Sequence, residues 1–362
     1  MKNKPQIGSK IQSFTVLAEA GSGGCIVFIV ERDGKLYAMK YTNEDRFNLE
    51  KEYQTSQKCW IKEKLLKCLQ FVRCETYSYL IMELTGQTLA SDDSDLKETC
   101  RLYIEALKGI EQLHGLKMIH QDLKPNNLAK SLRRDGGVEV LDYGTVAEIV
   151  KGRCINGCMG TAIFAARDAM DNKKIGQQHF RSDIEAWFYC LVSGCKDGEL
   201  GWEYKRGYDV ILAAKKEEWK TKNRERFLTG LPKQFLIIMQ LIDKIQPGRT
   251  FHYQQYYSLL NEIIETENLT YIPAVGLKYP APNPEFQYYL TQNGRIGIKT
   301  TGFSFNKKDK TVWYQGGRLV VFICKFPHCN FCLYVDEKRF NEDATADGIP
   351  PIFKTTDRVH QH

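Results

Sequence analysis

Asp122, Lys124, Asn127 and Asp142 stand at spacings that suit metal-assisted transfer of a phosphoryl group. They lie in the stretches Ile119-His120-Gln121-Asp122-Leu123-Lys124-Pro125-Asn126-Asn127 and Leu141-Asp142-Tyr143-Gly144. In such chemistry Asp122 accepts the proton of an attacking hydroxyl and Lys124 neutralises the γ-phosphate, while Asn127 and Asp142 hold Mg²⁺. Other elements must bring these groups together. Upstream, Gly21-Ser22-Gly23-Gly24 separates two strand-like runs, and a glycine turn lets backbone amides approach phosphate oxygens because no Cβ intervenes. The next strand, Leu36-Tyr37-Ala38-Met39-Lys40, ends in a lysine whose offset from the glycines raises it above a solvated strand edge. Phe47 to Gln54 reads as a helix that supplies a carboxylate to Lys40. Glu50 is the first choice and Glu52 the alternate, because the two point about 200° apart on a helix and only one can face inward.

Further along, Tyr79-Leu80-Ile81-Met82-Glu83-Leu84-Thr85-Gly86 is an apolar strand running into a connection of small residues. From Asp95 to His114 the apolar residues Leu96, Leu102, Ile104, Leu107, Ile110 and Leu113 recur at helical spacing, and this helix delivers the chain to the Asp122 loop. Arg181 to Tyr189 opens another apolar helix, in which Asp183 reads either as a cap or as a buried tie to that loop, the second favoured by context. Helices at about 208–227, 232–245 and 252–266 follow. The pattern predicts an α+β fold with a β-rich first lobe (about 10–85) and a helical second lobe (about 88–268).

The 362 residues, 43% apolar and 26% charged, describe a water-soluble chain of two or three units. Its polar N-terminus predicts no signal peptide and its apolar runs predict no membrane span. Twelve cysteines without a leader predict reduced thiols or metal ligands, hence a cytoplasmic or nuclear location. A net charge of +7 gives only weak attraction to acidic partners.

The order of these elements resembles the eukaryotic protein kinases over residues 10–268. The activation-segment stretch Gly160-Thr161-Ala162-Ile163-Phe164-Ala165-Ala166, with Met82 to Leu89, Ser182-Asp183-Ile184-Glu185 and Leu200-Gly201-Trp202, resembles the casein kinase 1 group, nearest to tau tubulin kinases. The resemblance implies transfer of the γ-phosphate of ATP to serine or threonine hydroxyls of proteins, with catalytic roles for Lys40, Glu50, Asp122, Lys124, Asn127 and Asp142. It further implies that Gly21, Gly23, Gly24, Ile26, Ala38, Lys40, Met82, Glu83 and Thr85 line the nucleotide, Met82 as gatekeeper. Glu19 stands where the first loop glycine is expected, Gly23 replaces an aromatic, Gln121 replaces the arginine of His-Arg-Asp, and Ile163 replaces an arginine of the group. A carboxylate at Glu19 would oppose a triphosphate by Coulomb repulsion. A pseudokinase scaffold is therefore the alternative function.

Beyond residue 268 the composition changes. Four prolines between Tyr271 and Pro284 read as a linker over 269–285. Residues 286–362 read as strands Gln287–Leu290, Gly297–Phe305, Thr311–Gln315 and Arg318–Ile323. Cys324, Cys329, His360 and His362 are candidate ligands of a structural Zn²⁺, with His328 or Cys332 as possible replacements, and the spacing resembles FLYWCH-type zinc fingers. Arg295, Lys299, Lys307, Lys308, Lys310, Arg318 and Lys325, against Asp309, would then suit contact with DNA or a protein partner.

Overall fold

The fold is that of a computed structural model. It describes residues 4–272 except 45–46, 134–135, 172–173, 175–176, 197, 199, 247–250 and 268, together with the segments 287–290, 296–299, 302–306 and 311–315. Two compact units are present: Met1–Gly198, Gly207–Ala213 and Ile237–Thr266 make the first, and the remaining segments the second.

The first unit begins with a six-stranded antiparallel sheet of β1 (Lys10–Ile11), β2 (Phe14–Ser22), β3 (Ile26–Arg32), β4 (Lys35–Thr42), β5 (Cys68–Arg73) and β6 (Ser78–Met82). The spatial order is β1-β2-β3-β4-β6-β5. Asp33 and Gly34, both at positive φ, form the two-residue turn between β3 and β4. Such a turn fixes register, and here it sets Val27 opposite Lys40 and Ile26 opposite Tyr41. Side chains alternate across a strand, so Ile26, Phe28, Val30, Met39 and Tyr41 fill the apolar core on one face with Phe14, Val16, Tyr79 and Ile81. Val27, Ala38 and Lys40 take the other face, where Ala38 stands opposite Met82.

Helix α1 (Leu49–Lys58) starts where Asn48 accepts a hydrogen bond from the amide of Lys51 (2.9 Å). Its buried residues, Leu49, Glu52, Thr55 and Ser56, lie on one stripe. The helical half contains α2 (Leu96–Gly115), capped by Asp95, and α3 (Arg167–Met170). It continues with α4 (Phe180–Cys195), opened by a capping box between His179 and Ser182, and α8 (Tyr253–Glu265); α5 (Tyr208–Glu218) and α7 (Lys233–Lys244) have residues in both units, and α6 (Arg224–Phe227) belongs to the second. Ile110, Leu113 and Leu107 of α2 and Ile184, Trp187, Phe188 and Leu191 of α4 are fully buried, which makes these two helices the rigid floor beneath the loops. Short strands carry those loops: β7 (Met118–Ile119), β8 (Leu128–Lys130), β9 (Val138–Val140), β10 (Ala147–Val150) and β11 (Arg153–Cys154). Their pairings are β8 with β9 and β10 with both β7 and β11.

In the second unit Trp202 stacks on Phe227 (5.2 Å between centroids) and the buried Lys215 places its ammonium 5.5 Å from the Trp202 ring centre. Here too the strands β12 (Gln287–Leu290) and β13 (Ile296–Lys299) pair, as do β14 (Gly302–Asn306) and β15 (Thr311–Gln315). Within the expected run from Gly297 to Phe305 the described residues belong to β13 and β14, and residues 300–301 lie outside them. The Arg318–Ile323 strand and the zinc candidates Cys324, Cys329, His360 and His362 lie outside the described residues. Among the described residues there is no cluster of three or more histidine, cysteine or acidic side chains placed to hold a metal, and no helix long and apolar enough to cross a membrane.

Candidate active site

Lys40 sits at the centre of the cleft face. Its ammonium bonds Glu52 Oε2 at 2.7 Å and Asp142 Oδ1 at 2.9 Å. Glu52, not Glu50, is therefore the helix carboxylate that meets the lysine. The reason is helix phase: Glu52 falls on the buried stripe one turn after Leu49, whereas Glu50 is half-exposed and faces Arg73 at 3.7 Å. Burial alone pulls an ammonium's pKa down, but the two carboxylates outweigh it and hold Lys40 above its ordinary value. Lys40 in turn holds Asp142 below the usual carboxylate range against the opposing effect of burial. Asp142 adopts the left-handed conformation (φ 62°), a strained choice for a non-glycine residue that its bonds to Lys40 and the Gly144 amide help maintain.

The glycine turn departs from expectation. Ile26 is 4% exposed in the apolar core and does not face Lys40; Val27 takes the cleft position, because the two-residue turn sets the register. Glu19 stands opposite Phe28, on the face turned away from Lys40, and is ion-paired with Lys4. The repulsion expected at Glu19 is thus relieved. Cys25 precedes Val27 by two residues and shares its face: its thiol bonds Thr42, interacts with Lys40, Glu52 and Asp142, and is pushed by burial up to about 11.

Across the cleft, Asp122 is held on both oxygens. Oδ1 accepts from the amide (2.6 Å) and hydroxyl (2.7 Å) of Thr161, and Oδ2 from Lys124 Nζ (2.9 Å). Gly160 makes this approach possible: it has φ +70°, and a Cβ there would lie 2.2 Å from the Gln121 carbonyl. Asn127 Nδ2 donates to the Asp122 carbonyl (2.8 Å), which aims its own oxygen elsewhere. Asn127 Oδ1 and Asp142 Oδ2 remain as hard oxygen donors, a set that fits Mg²⁺.

The loop backbone is fixed from below by Asp183, which is 1% exposed. Its carboxylate accepts from the amides of His120 (2.6 Å) and Gln121 (2.9 Å) and meets His114 Nε2 (2.9 Å). These bonds keep it below its usual pKa although burial opposes that. His179, not Asp183, caps α4. Gln121, itself at φ 69°, points into the activation segment. With its amide nitrogen toward the Thr145 and Asn156 carbonyls (2.8 and 2.9 Å), its oxygen accepts from the Cys158 amide (3.1 Å). A neutral network thus occupies the place of the expected arginine. The segment's far end is anchored by Arg167, which bonds the fully buried Glu185 through Nε (2.9 Å), Nη2 (3.1 Å) and its amide (2.8 Å) and reaches Asp243 at 3.2 Å. The guanidinium lowers the Glu185 pKa to about 2, overcoming burial.

Met82 is buried opposite Ala38, and Glu83 begins the connection with its amide bonded to the Lys67 carbonyl (3.0 Å) and its carboxylate to Arg133 (2.5 Å). Thr85 lies in the same connection, and Gly86 donates to the Lys130 carbonyl (2.8 Å). Thr161, Arg167 and Val27 are positions at the site that the sequence reading did not assign. A signal existed for Val27, since counting back from Lys40 through the Asp33-Gly34 turn reaches it.

Comparison with known proteins agrees with this geometry. Residues 15–192 match the family model "Protein kinase domain". The chain is 32% identical over 332 residues to the Caenorhabditis elegans protein named "Putative serine/threonine-protein kinase K06H7.1", covering 82% of this chain and 91% of that one. It is 26% identical over 216 residues to the serine/threonine-protein kinase spe-6 of the same organism, covering 55% of this chain and 56% of spe-6, so the chain spans little more than half of that relative.

Proposed function

This chain belongs to the protein kinase family, and we propose that within it the chain is a catalytically competent serine/threonine kinase of the casein kinase 1 group, using ATP and Mg²⁺. The observation that carries this reading is the assembled Lys40–Glu52–Asp142 ion-pair chain facing an Asp122 carboxylate already oriented by Thr161 and Lys124. Phosphoryl transfer by kinases requires the strand lysine and helix glutamate to be paired, and here they are within bonding distance.

Each residue then has a role in phosphoryl transfer. Lys40, fixed by Glu52, binds the α- and β-phosphates of ATP. Asp142 and Asn127 would hold Mg²⁺, which when bound supplies charge neutralisation at the β- and γ-phosphates. Asp122 orients the protein hydroxyl and takes its proton, and Lys124 stabilises charge on the transferred group. Thr161, bonded to both Asp122 and Lys124, keeps the two in register and places the segment that follows beside the acceptor. Catalysis comes mainly from positioning and preorganised charge. The casein kinase 1 assignment is supported by the Gly160-Thr161 and Ser182-Asp183-Ile184-Glu185 stretches.

The competing reading, a silent scaffold, draws on the glycine turn, where Cys25 sets a thiol near Lys40. The deciding experiment measures transfer of labelled γ-phosphate from Mg-ATP to serine- and threonine-containing peptides by the full chain and by Asp122→Asn. Expected is transfer that falls at least about 10²-fold in the variant while Mg-ATP binding persists. Nucleotide binding without transfer in the unmodified protein would establish the scaffold instead.

A further inference from the structure

The glycine turn is bare at Gly23 and Gly24, and it closes on itself through the bond from the Gly23 amide to the Cys25 carbonyl (3.0 Å). A Cβ added at Gly21 or Gly23 would meet nothing within 4 Å. Gly24 differs. A Cβ there would lie 2.3 Å from Cζ and 2.5 Å from Cε1 of Phe47, so the phenyl ring occupies the space directly against the Gly24 backbone. Phe47 comes from the lead-in to α1: Asn48 caps the helix, Leu49 begins it, and Glu52 one turn later holds Lys40. One aromatic ring therefore joins the turn to the helix that carries the ion pair.

We propose that Phe47 is a positioning residue that holds the glycine turn over the phosphate site from the α1 side, making a contact that Gly23 and Gly24, which have no side chains, cannot make for themselves. The proposal rests on the kinase reading above. Glycines have the largest backbone freedom of any residue, so amides meant to receive phosphate oxygens are poorly preorganised unless something outside restrains them. A ring packed on the Gly24 backbone is such a restraint, and its attachment to α1 makes turn and Lys40–Glu52 pair move as one. Nucleotide held under the turn then favours the paired state of Lys40.

The test uses the full chain as wild type, Phe47→Ala, Phe47→Tyr, Gly24→Ala and the double variant Phe47→Ala/Gly24→Ala. Phe47→Ala should weaken Mg-ATP binding about tenfold, with KM for ATP carrying the loss and kcat changing less, while Phe47→Tyr stays near wild type. Gly24→Ala should weaken it similarly because its Cβ displaces the ring. In the double variant the two losses should not add, since the ring that Gly24→Ala displaces is already gone. Additive losses, or unchanged affinity in Phe47→Ala, would overturn the assignment.

A second readout needs no nucleotide. Amide hydrogen exchange at residues 20–25 of the free protein should quicken in Phe47→Ala and Gly24→Ala, with α2 and α4 amides unchanged as evidence of an intact fold. Absence of Mg-ATP binding in the wild type would remove the kinase reading; unchanged exchange in Phe47→Ala would remove the role of Phe47 by itself.

Discussion

The catalytic loop and the glycine turn flank the same cleft, yet they are held in opposite ways. Beneath the loop, Asp183 ties two consecutive amides and His114 with charged hydrogen bonds in a site closed to solvent, and Thr161 and Lys124 hold Asp122 from above. The turn is tied more lightly: Gly21 and Ser22 pair with Val27 and Ile26 in the strand ladder, the Gly23 amide bonds the Cys25 carbonyl, the Cys25 thiol bonds Thr42, and the Phe47 ring lies against Gly24. Around Asp122, the proposed proton acceptor, the chain is fixed by charged and buried bonds; at Gly23 and Gly24 it has no side chain to fix it. That difference suits a site in which reaction geometry is fixed and access is not.

The comparison breaks most severely at Asp183. Replacing it by alanine strands the His120 and Gln121 amides in a dry site, at about 1–3 kcal/mol for each donor left unpaired. We expect Asp183→Ala to lose about 3 kcal/mol or more in urea unfolding and nearly all phosphate transfer, and Asp183→Asn to lose less because one carbonyl acceptor remains. A stable, active Asp183→Ala would show that the loop holds itself. The next largest effect separates the two glutamates of α1. Glu52→Gln removes the charge opposite Lys40 and should lower kcat/KM about 10²-fold. Glu50→Gln disturbs only a half-exposed contact with Arg73 and should stay within about 0.5 kcal/mol in stability with activity unchanged. Equal effects of the two would mean that the paired geometry is not the working one.

The residues proposed to carry the chemistry sit in two short contiguous stretches whose spacing is itself the signal, and the structure brings those stretches to one cleft. Asp122, Lys124, Asn127 and Asp142 need only a turn and a strand end to converge. The strands β3, β4 and β6 and the helices α2, α4, α7 and α8 were legible for the ordinary reason that apolar residues recur at period two or 3.6. Facing was harder. Glu50 and Glu52 lie in the same helix, and only the burial of Leu49 decides between them; Leu49 three positions before Glu52 was the available clue. Ile26 was misplaced for the same reason, since one residue of strand register exchanges core for cleft. Thr161 reaches Asp122 across 39 residues, and Phe47 meets Gly24 through a ring contact. Neither contact leaves any trace in local spacing, because it depends on how separate segments are brought together.

The smallest effect concerns the cap of α4, the helix that presents Asp183. His179 Nδ1 accepts from the Arg181 amide at 3.2 Å, which requires that nitrogen to be unprotonated. Burial, with the charge of Arg181 and the proximity of His114, lowers its pKa from 6.5 to about 4. Between those two values the unfolded chain binds a proton that the folded chain refuses, so stability rises with pH through this window and is lost as pH falls from about 6.5 toward 4. Asparagine caps a helix as well as any residue and does not titrate. His179→Asn should therefore keep α4 capped at pH 7 and flatten the part of the stability loss that begins near pH 6.5, while the steeper loss from carboxylates below about pH 5 remains in both proteins. Thermal unfolding from pH 7.5 to 4 on both reads the difference directly. Parallel curves would mean that the histidine is exposed enough to take its proton in the folded state, and that the floor beneath the catalytic loop is indifferent to it.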